Sequence, residues 1–465
     1  MIYNHSVRKN NNLVCASLII VLLSIFLSLY YIDISLDVSD YSWSVLFMTV
    51  IGIIIFLRVF INKGNIVSLY SLFFLTSLLF IGGRFISVFL GYSEKPLFEL
   101  DFFVYRNLDV IDKSKLSFLV ISGFLALEFG YYVSKILIKD NSEPLINIPF
   151  SANKYLLFIL TLVMFFLLSI TSYNSIKLVL DGGYLALFSG QNQEYGLNFS
   201  GLLKTILLAS TGIFLSQKNE KNKTIFLLIL GLYFLSDLFT GGRGGFITYL
   251  LFLVWYKNDC GLKRASVLKF FSMVLILLIF LSTVFGLLSL RNSESAQSSI
   301  YQKVLSLIYD QGVSMMVFNE SLNILDYPIV PYFQNFIPGF SFLYSKIVGS
   351  LYPYEYSFSA FISYTLNPYA YSLGYGMGWS FFSDAYLYGL SSPFFFCFWV
   401  SIFSIFLNYL QINVTRNIYI KLITTSLVSS ILFLPRAGIN TVFPLIPYVL
   451  VLFFIVKLLS GSNKK

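Results

Sequence analysis

Apolar runs of roughly 17–25 residues succeed one another along most of the chain with short polar breaks between them. At 1.5 Å per residue such a run matches the ~30 Å hydrocarbon core of a bilayer, so the spacing predicts membrane-crossing helices. The expected spans cover residues 12–32, 41–60, 66–90, 116–136, 155–171, 201–215, 224–239, 246–256, 267–290, 385–410, 418–434 and 442–459. That makes about twelve spans, the eighth being the shortest. No period of 20–50 residues repeats, and no low-complexity linker interrupts the series. The simplest description is an all-α polytopic membrane protein, residues 1–465 forming one membrane domain.

One interval departs from the pattern. Residues 291–384, between the ninth and tenth spans, form a single large loop. Val304, Leu307, Ile308 and Met315 recur there at helical spacing, which predicts an amphipathic helix at the membrane surface. Pro328, Pro331, Pro338 and Pro353 follow among aromatics and exclude a further simple span, so the segment reads as the floor or lid of a site.

Composition agrees with the pattern: 57% of residues are hydrophobic, 19% aromatic and only 11% charged, which excludes a water-soluble globule. The net charge of +9 has a topological origin. Lysine and arginine cluster in alternate short loops, as at Lys218, Lys221 and Lys223 and again at Lys257, Lys263, Arg264 and Lys269, which puts those loops and both termini in the cytoplasm. The charge therefore says nothing of nucleic acid. The first apolar run follows Arg8 and Lys9 like a signal peptide but is long and lacks a small-residue cleavage site, so it reads as a retained helix. Cys15, Cys260 and Cys397 lie in spans or on the inner side and give no outer disulfide framework. The single histidine, His5, and the absence of outer acidic pairs at ligand spacing argue against a metal site.

Against this background four arginines stand out. Arg84, Arg243 and Arg436 each fall 18 or 19 residues after the start of an odd-numbered span, about 27–29 Å from the inner surface, and Arg291 ends the ninth span on the same side. A charge at such depth costs about 2.5–3.5 kcal/mol even on the mild insertion scale. An anionic partner would offset that cost, because a guanidinium binds phosphate through two parallel hydrogen bonds and keeps its charge at any cellular pH. Around Arg243 the sequence reads Thr240-Gly241-Gly242-Arg243-Gly244-Gly245. Gly242 and Gly244 would let the backbone approach phosphate oxygens and offer amide donors. The alternative is that each arginine reaches lipid head groups or pairs with an acid such as Asp237.

Those residues carry a resemblance. Thr240–Gly245 is similar to the glycine-arginine motif of the O-antigen polymerases (Wzy-type oligosaccharide repeat-unit polymerases). The segment from Gly376 to Gly389, which includes Trp379 and Asp384, resembles the one that closes their large outer loop, with aspartate at 384 where members often have glutamate. Leu434-Pro435-Arg436-Ala437-Gly438 looks like their late arginine turn.

The resemblance implies a bacterial cytoplasmic (inner) membrane enzyme. It would move a growing glycan from polyprenyl (undecaprenyl) pyrophosphate onto the distal sugar of a new lipid-linked repeat unit, with no cofactor. Arg243, Arg291 and Arg436 would stabilise the departing pyrophosphate, with Arg84 and the motif glycines assisting in binding. Asp384, or second to it Glu320, would act as general base or orient the acceptor; pairing of Asp384 with an arginine is the alternative. Tyr375 and Trp379, among the loop aromatics, would stack on sugars, unless they form an interfacial belt. Membrane lipids and a chain-length regulator are the other expected partners. O-antigen ligases share the topology but look to a loop histidine, which this loop lacks. The rival reading is a lipid-linked oligosaccharide flippase or exporter, whose charges would gather near the bilayer midplane.

Overall fold

The computed structural model describes residues 2–61, 64–99, 104, 108–138, 154–182, 200–217, 222–240, 243–263, 266, 272, 279 and 299–461. The described residues are helical and contain no strand. Among the described residues, seven helices are long and apolar enough to cross a membrane, and a bent pair makes an eighth candidate. Nearly all of the expected ninth span lies outside the described residues, as do Gly242 and Arg291.

The chain forms two compact units. The first comprises Met1–Lys139, Asn258–Leu325 and Trp379–Asn408. Its helices begin with α1 (Ile2–Tyr31), α2 (Asp40–Phe56), α3 (Leu69–Phe80), α4 (Gly83–Phe89) and α5 (Val110–Leu137). The asymmetry of burial shows their arrangement: 89% of the most apolar window of α5 is covered by protein, against 28% for α1. On α1, Val14, Leu18, Val21 and Ile25 face outward in a stripe that water would penalise and acyl chains would not. Helix α5 is thus a central post, and α1 and α2 pack on it.

The apolar run at residues 66–90 is not one straight span. α3 and α4 meet at 67° across Ile81 and Gly82. Gly82 and Gly83 explain the break: glycine is a poor helix interior residue, and a Cβ at Gly83 would stand 2.6 Å from the carbonyl oxygen of Ile308. That oxygen belongs to α10 (Ile300–Gln311), the amphipathic helix of the large loop. α10 carries Leu305, Leu307 and Ile308 into contact with protein, and Ser87 Oγ of α4 donates to the Leu305 carbonyl at 2.9 Å. Its apolar face is therefore covered by α4 and not laid on lipid, because the turn at Gly82 brings a protein partner within reach.

α11 (Ser314–Asn323) packs against α17 (Phe381–Tyr388), with Phe318 wedged at 5.7 Å from the Phe382 ring and 6.3 Å from the Tyr386 ring. The expected tenth span starts later than residue 385, at Pro393. α17 ends at Gly389, Leu390 and Ser391 adopt left-handed backbone with φ of 54° and 55°, and α18 (Pro393–Asn413) begins after them. α18 approaches α5 closely: Ser401 Oγ donates to the Ala126 carbonyl at 2.9 Å, and Gly130 meets the Ser401 backbone.

The second unit comprises Asp140–Lys257, Asp326–Gly378 and Tyr409–Lys465. α6 (Lys154–Gly182), α7 (Ser200–Ser216), α8 (Lys223–Phe239) and α9 (Arg243–Lys257) alternate in direction and join α19 (Ile418–Phe433) and α20 (Leu445–Gly461). The short helices α12 (Val330–Gln334), α13 (Phe340–Val348), α14 (Pro353–Tyr356), α15 (Phe358–Leu366) and α16 (Pro368–Ser372) also belong to it. Three of these, α12, α14 and α16, have proline in their first turn, where the missing N–H costs nothing. Small residues set the helix spacing: α7 and α19 touch where Gly212 lies on Ser426, and Thr425 Oγ1 donates to the Gly212 carbonyl at 3.2 Å.

Candidate functional site

Each unit holds its own group of the residues singled out above. In the second unit, hydrogen bonds fix which helix ends lie together. Trp255 Nε1, near the end of α9, donates to Gln411 Oε1 at 3.0 Å, just before α19 begins. Tyr256 O–H donates to the Leu215 carbonyl at the end of α7, at 3.2 Å. α9 therefore lies antiparallel to α19 and parallel to α7. Its first residue, Arg243, shares an end with Arg436, which closes the 3-10 turn Leu434–Arg436 after α19. The same reasoning brings Lys204, one turn into α7, and Asp237, near the end of α8, to that end of the unit.

Local sequence accounts for these placements. Thr240 Oγ1 bonds back to the Asp237 carbonyl at 2.8 Å as α8 ends, and the chain restarts as α9 at Arg243. A cation on the first residue of a helix faces the positive end of the helix dipole, which disfavours it there and favours any anion beside it. Arg243 and Arg436 are half-buried and Gly244 is buried. Tyr375 belongs to the same unit, where Met377 N–H bonds to Ser363 Oγ at 3.1 Å and ties the loop to α15.

In the first unit, Asp384 lies on α17, with 1% of its surface exposed, so it does not open a long spanning helix. Ser380 caps α17 by accepting from Ser383 N–H at 3.1 Å, and a carboxylate in that first turn complements the helix dipole. Trp379 Nε1 donates to Asp384 Oδ1 at 2.9 Å, so two of the expected residues meet directly. Gly378, at φ +81°, makes the turn that brings the indole back. Glu320, also buried, accepts from Asn319 Nδ2 at 2.8 Å on α11, the helix packed on α17.

Arg84 is engaged within its own unit. The residue is 4% exposed, Nη1 donates to the Glu99 carbonyl at 2.6 Å, and Cζ stands 4.8 Å from the centre of the Tyr309 ring. Tyr309 in turn donates to the Pro96 carbonyl at 2.5 Å, and burial pushes its phenol above the usual range. A Cβ at Gly312 would come within 2.5 Å of the Arg84 backbone nitrogen, so α10 and α11 hinge directly on this arginine. Its contacts fasten the loop helices to α4.

A second charged group in this unit joins an arginine and a carboxylate from different helices. Arg58, on a π-helical turn after α2, lies 4.5 Å above the Tyr70 ring and 5.1 Å from the Tyr131 ring, with Nη1 4.0 Å from Glu128 Oε2. Tyr70 O–H donates to the same oxygen at 2.8 Å, and Arg58 Nη2 donates to Ser71 Oγ. The pair is 70 positions apart in sequence, so no spacing could have revealed it. Lys204, one turn into α7, stands 5.9 Å from the centre of the Tyr233 ring and 5.8 Å from that of Phe234. No cluster of histidine, cysteine and carboxylates able to hold a metal ion occurs among the described residues.

The chain matches no curated protein and no solved structure. The profile of one family, described as O-antigen polysaccharide polymerase Wzy, matches residues 14–464. With nearly the whole chain matched, and with apolar helices suited to repeated membrane crossing, the protein belongs to the O-antigen polysaccharide polymerase Wzy family.

Proposed function

We infer that this protein polymerises polyprenyl-pyrophosphate-linked oligosaccharide repeat units on the outer face of the bacterial cytoplasmic membrane. It would do so as one polytopic domain of about twelve spans, with both termini cytoplasmic and residues 291–384 as its large outer loop. Membership of the polymerase family is the observation that carries this reading. The gathering of Arg243 and Arg436 at one end of the second unit supplies its chemistry.

In the reaction an acceptor hydroxyl oxygen attacks the anomeric carbon of the growing glycan. The bond from that carbon to the pyrophosphate oxygen breaks, the leaving group takes the electron pair, and the hydroxyl proton passes to a base. The developing charge lies on the pyrophosphate, which is where preorganised guanidinium groups lower the barrier most. Arg243 and Arg436, with Arg291, take that role. Asp384 is the candidate base or acceptor-orienting group, with Glu320 on the neighbouring helix as the other carboxylate. Arg84 is a further candidate for substrate binding, and Trp379 fixes the Asp384 carboxylate through the indole N–H. Gly242, Gly244 and Tyr375 complete the binding surface.

The test places purified protein in liposomes with the lipid pyrophosphate-linked repeat unit supplied on the outer-face side. A ladder of glycans of increasing length supports the reading. Substrate moving between leaflets with no ladder would make the protein an exporter.

A further inference from the structure

Helix α13 buries none of its residues. Phe342, Leu343 and Ile347 lie on one side of it at helical spacing and are exposed, Ile347 to 83%, with Val348 exposed beside them. The other side is held by chain close in sequence: the Phe340 ring stacks on Phe333 at 5.0 Å, and Ser341 N–H donates to Gln334 Oε1 at 2.7 Å. Gly339 and Gly349, at φ +74° and +100°, set the helix off from its neighbours at both ends. α13 therefore displays its apolar face, whereas the apolar face of α10 is covered by α4. An apolar patch of this kind needs a partner.

The patch runs into the lipid-facing surface of α20. Phe336, itself exposed, meets Phe443 with ring centres 5.3 Å apart, just before α20 begins at Leu445. Along α20, Val451, Phe454, Ile455 and Leu458 face outward in one stripe. Phe443 follows Arg436 through one short 3-10 turn, so α12 and α13 are tied to the membrane margin at which Arg436 lies. Charge points the same way. Between Asp326 and Glu355 the chain carries no carboxylate, and its one cation there, Lys346, sits on the displayed face with Nζ 5.0 Å from the centre of the Phe342 ring. Lysine is depleted from protein interfaces. At a bilayer surface, by contrast, its stem lies along apolar groups and its ammonium reaches a lipid phosphate.

We propose that α13 is an interfacial helix that docks on the bilayer. Phe342, Leu343, Ile347 and Val348 enter the headgroup–acyl boundary of the leaflet on the Arg436 side, to a depth of about 5–10 Å, and Lys346 meets a lipid phosphate. The helix thereby tethers to the membrane surface the chain that follows it, including Tyr375. The docking stands whether or not the polymerase reading holds.

The experiment attaches a nitroxide to L343C and, separately, to I347C in the full chain, reconstituted in nanodiscs of phosphatidylcholine and phosphatidylglycerol so that both faces meet solution. Cys15, Cys260 and Cys397 are buried, and wild type carried through the same labelling gives their background. V451C on α20 is the lipid reference, and K263C, in a polar turn with its side chain 72% exposed, is the water reference. Collision rates with oxygen, which concentrates in acyl chains, and with a water-soluble nickel chelate are compared. The expected ratio of oxygen to chelate collisions at 343 and 347 is severalfold above that at 263 and close to that at 451. A ratio equal to that at 263 would overturn the proposal, because the face would then stand in water. Shielding of both labels from oxygen and chelate alike would also overturn it, since protein would then cover the face, and spin–spin broadening relieved by dilution with unlabelled protein would identify that cover as a second copy of the chain.

Discussion

Gly201 and Gly212 are both on α7, and their replacement by alanine should have opposite effects. At Gly201 a Cβ would meet nothing within 4 Å, so the change contributes only the better helix propensity of alanine, up to about 1 kcal/mol in favour of the folded protein. At Gly212 the Cβ would stand 2.6 Å from Ser426 Cα and 2.7 Å from Ser426 Cβ. Carbon atoms rest about 3.5–4.0 Å apart, so α7 and α19 must separate by roughly 1 Å. The obstruction is backbone and cannot rotate away. Overpacking of this kind costs about 1–3 kcal/mol, and the 3.2 Å bond from Thr425 to the Gly212 carbonyl lengthens with it. The propensity gain is common to both variants, so they should differ by about 1–3 kcal/mol, read as a lower thermal midpoint for Gly212→Ala than for Gly201→Ala in the detergent-solubilised protein. Because α19 leads directly to Arg436, Gly212→Ala should also lower polymerisation. If Gly212→Ala melts at or above Gly201→Ala, the close crossing of these helices is wrong.

Three further changes probe other parts. Trp379→Phe removes the donor to a buried carboxylate and should destabilise the first unit by about 1–3 kcal/mol, and an unchanged melting midpoint would show the Asp384 bond to be dispensable. Arg58→Met or Glu128→Gln leaves half of a buried pair unpaired and should cost about 3–5 kcal/mol, seen as lower membrane abundance. Joint replacement by Arg58→Met and Glu128→Leu should recover most of that loss, and wild-type abundance in both single variants would remove the pair from the account. Arg243→Lys should lose most chain extension while the protein stays inserted, since an ammonium cannot reproduce the two-pronged contact, and full activity would reduce Arg243 to a generic charge.

The long apolar runs made most helices legible, because lipid imposes one length on every span. The errors arose where apolarity and helix continuity part company. Residues 66–90 are apolar throughout, yet Gly82 and Gly83 turn the chain by 67° because the neighbouring loop helix fits only there. Residues 385–392 read as the start of a span, whereas the left-handed Leu390 and Ser391 followed by Pro393 separate α17 from α18. Helical periodicity at Leu307 and Ile308 gave α10 correctly but could not say that α4, and not lipid, covers it. In the candidate site, Arg243 and Arg436 announced themselves by depth and glycine context. Arg58 with Glu128, and Lys204 with the Tyr233 and Phe234 rings, depend on neighbours distant in sequence, and only the packed helices show them.

The central claim is that guanidinium groups drive glycan extension by stabilising a departing lipid pyrophosphate. The direct measurement follows, in proteoliposomes, the lipid pyrophosphate released alongside each new glycosidic linkage, for wild type and Arg243→Ala. Release in step with ladder growth, with both slowed on the order of 10²–10³-fold in the variant, is the predicted result. A ladder that grows undiminished in Arg243→Ala, or one that grows with no pyrophosphate released, would contradict the account.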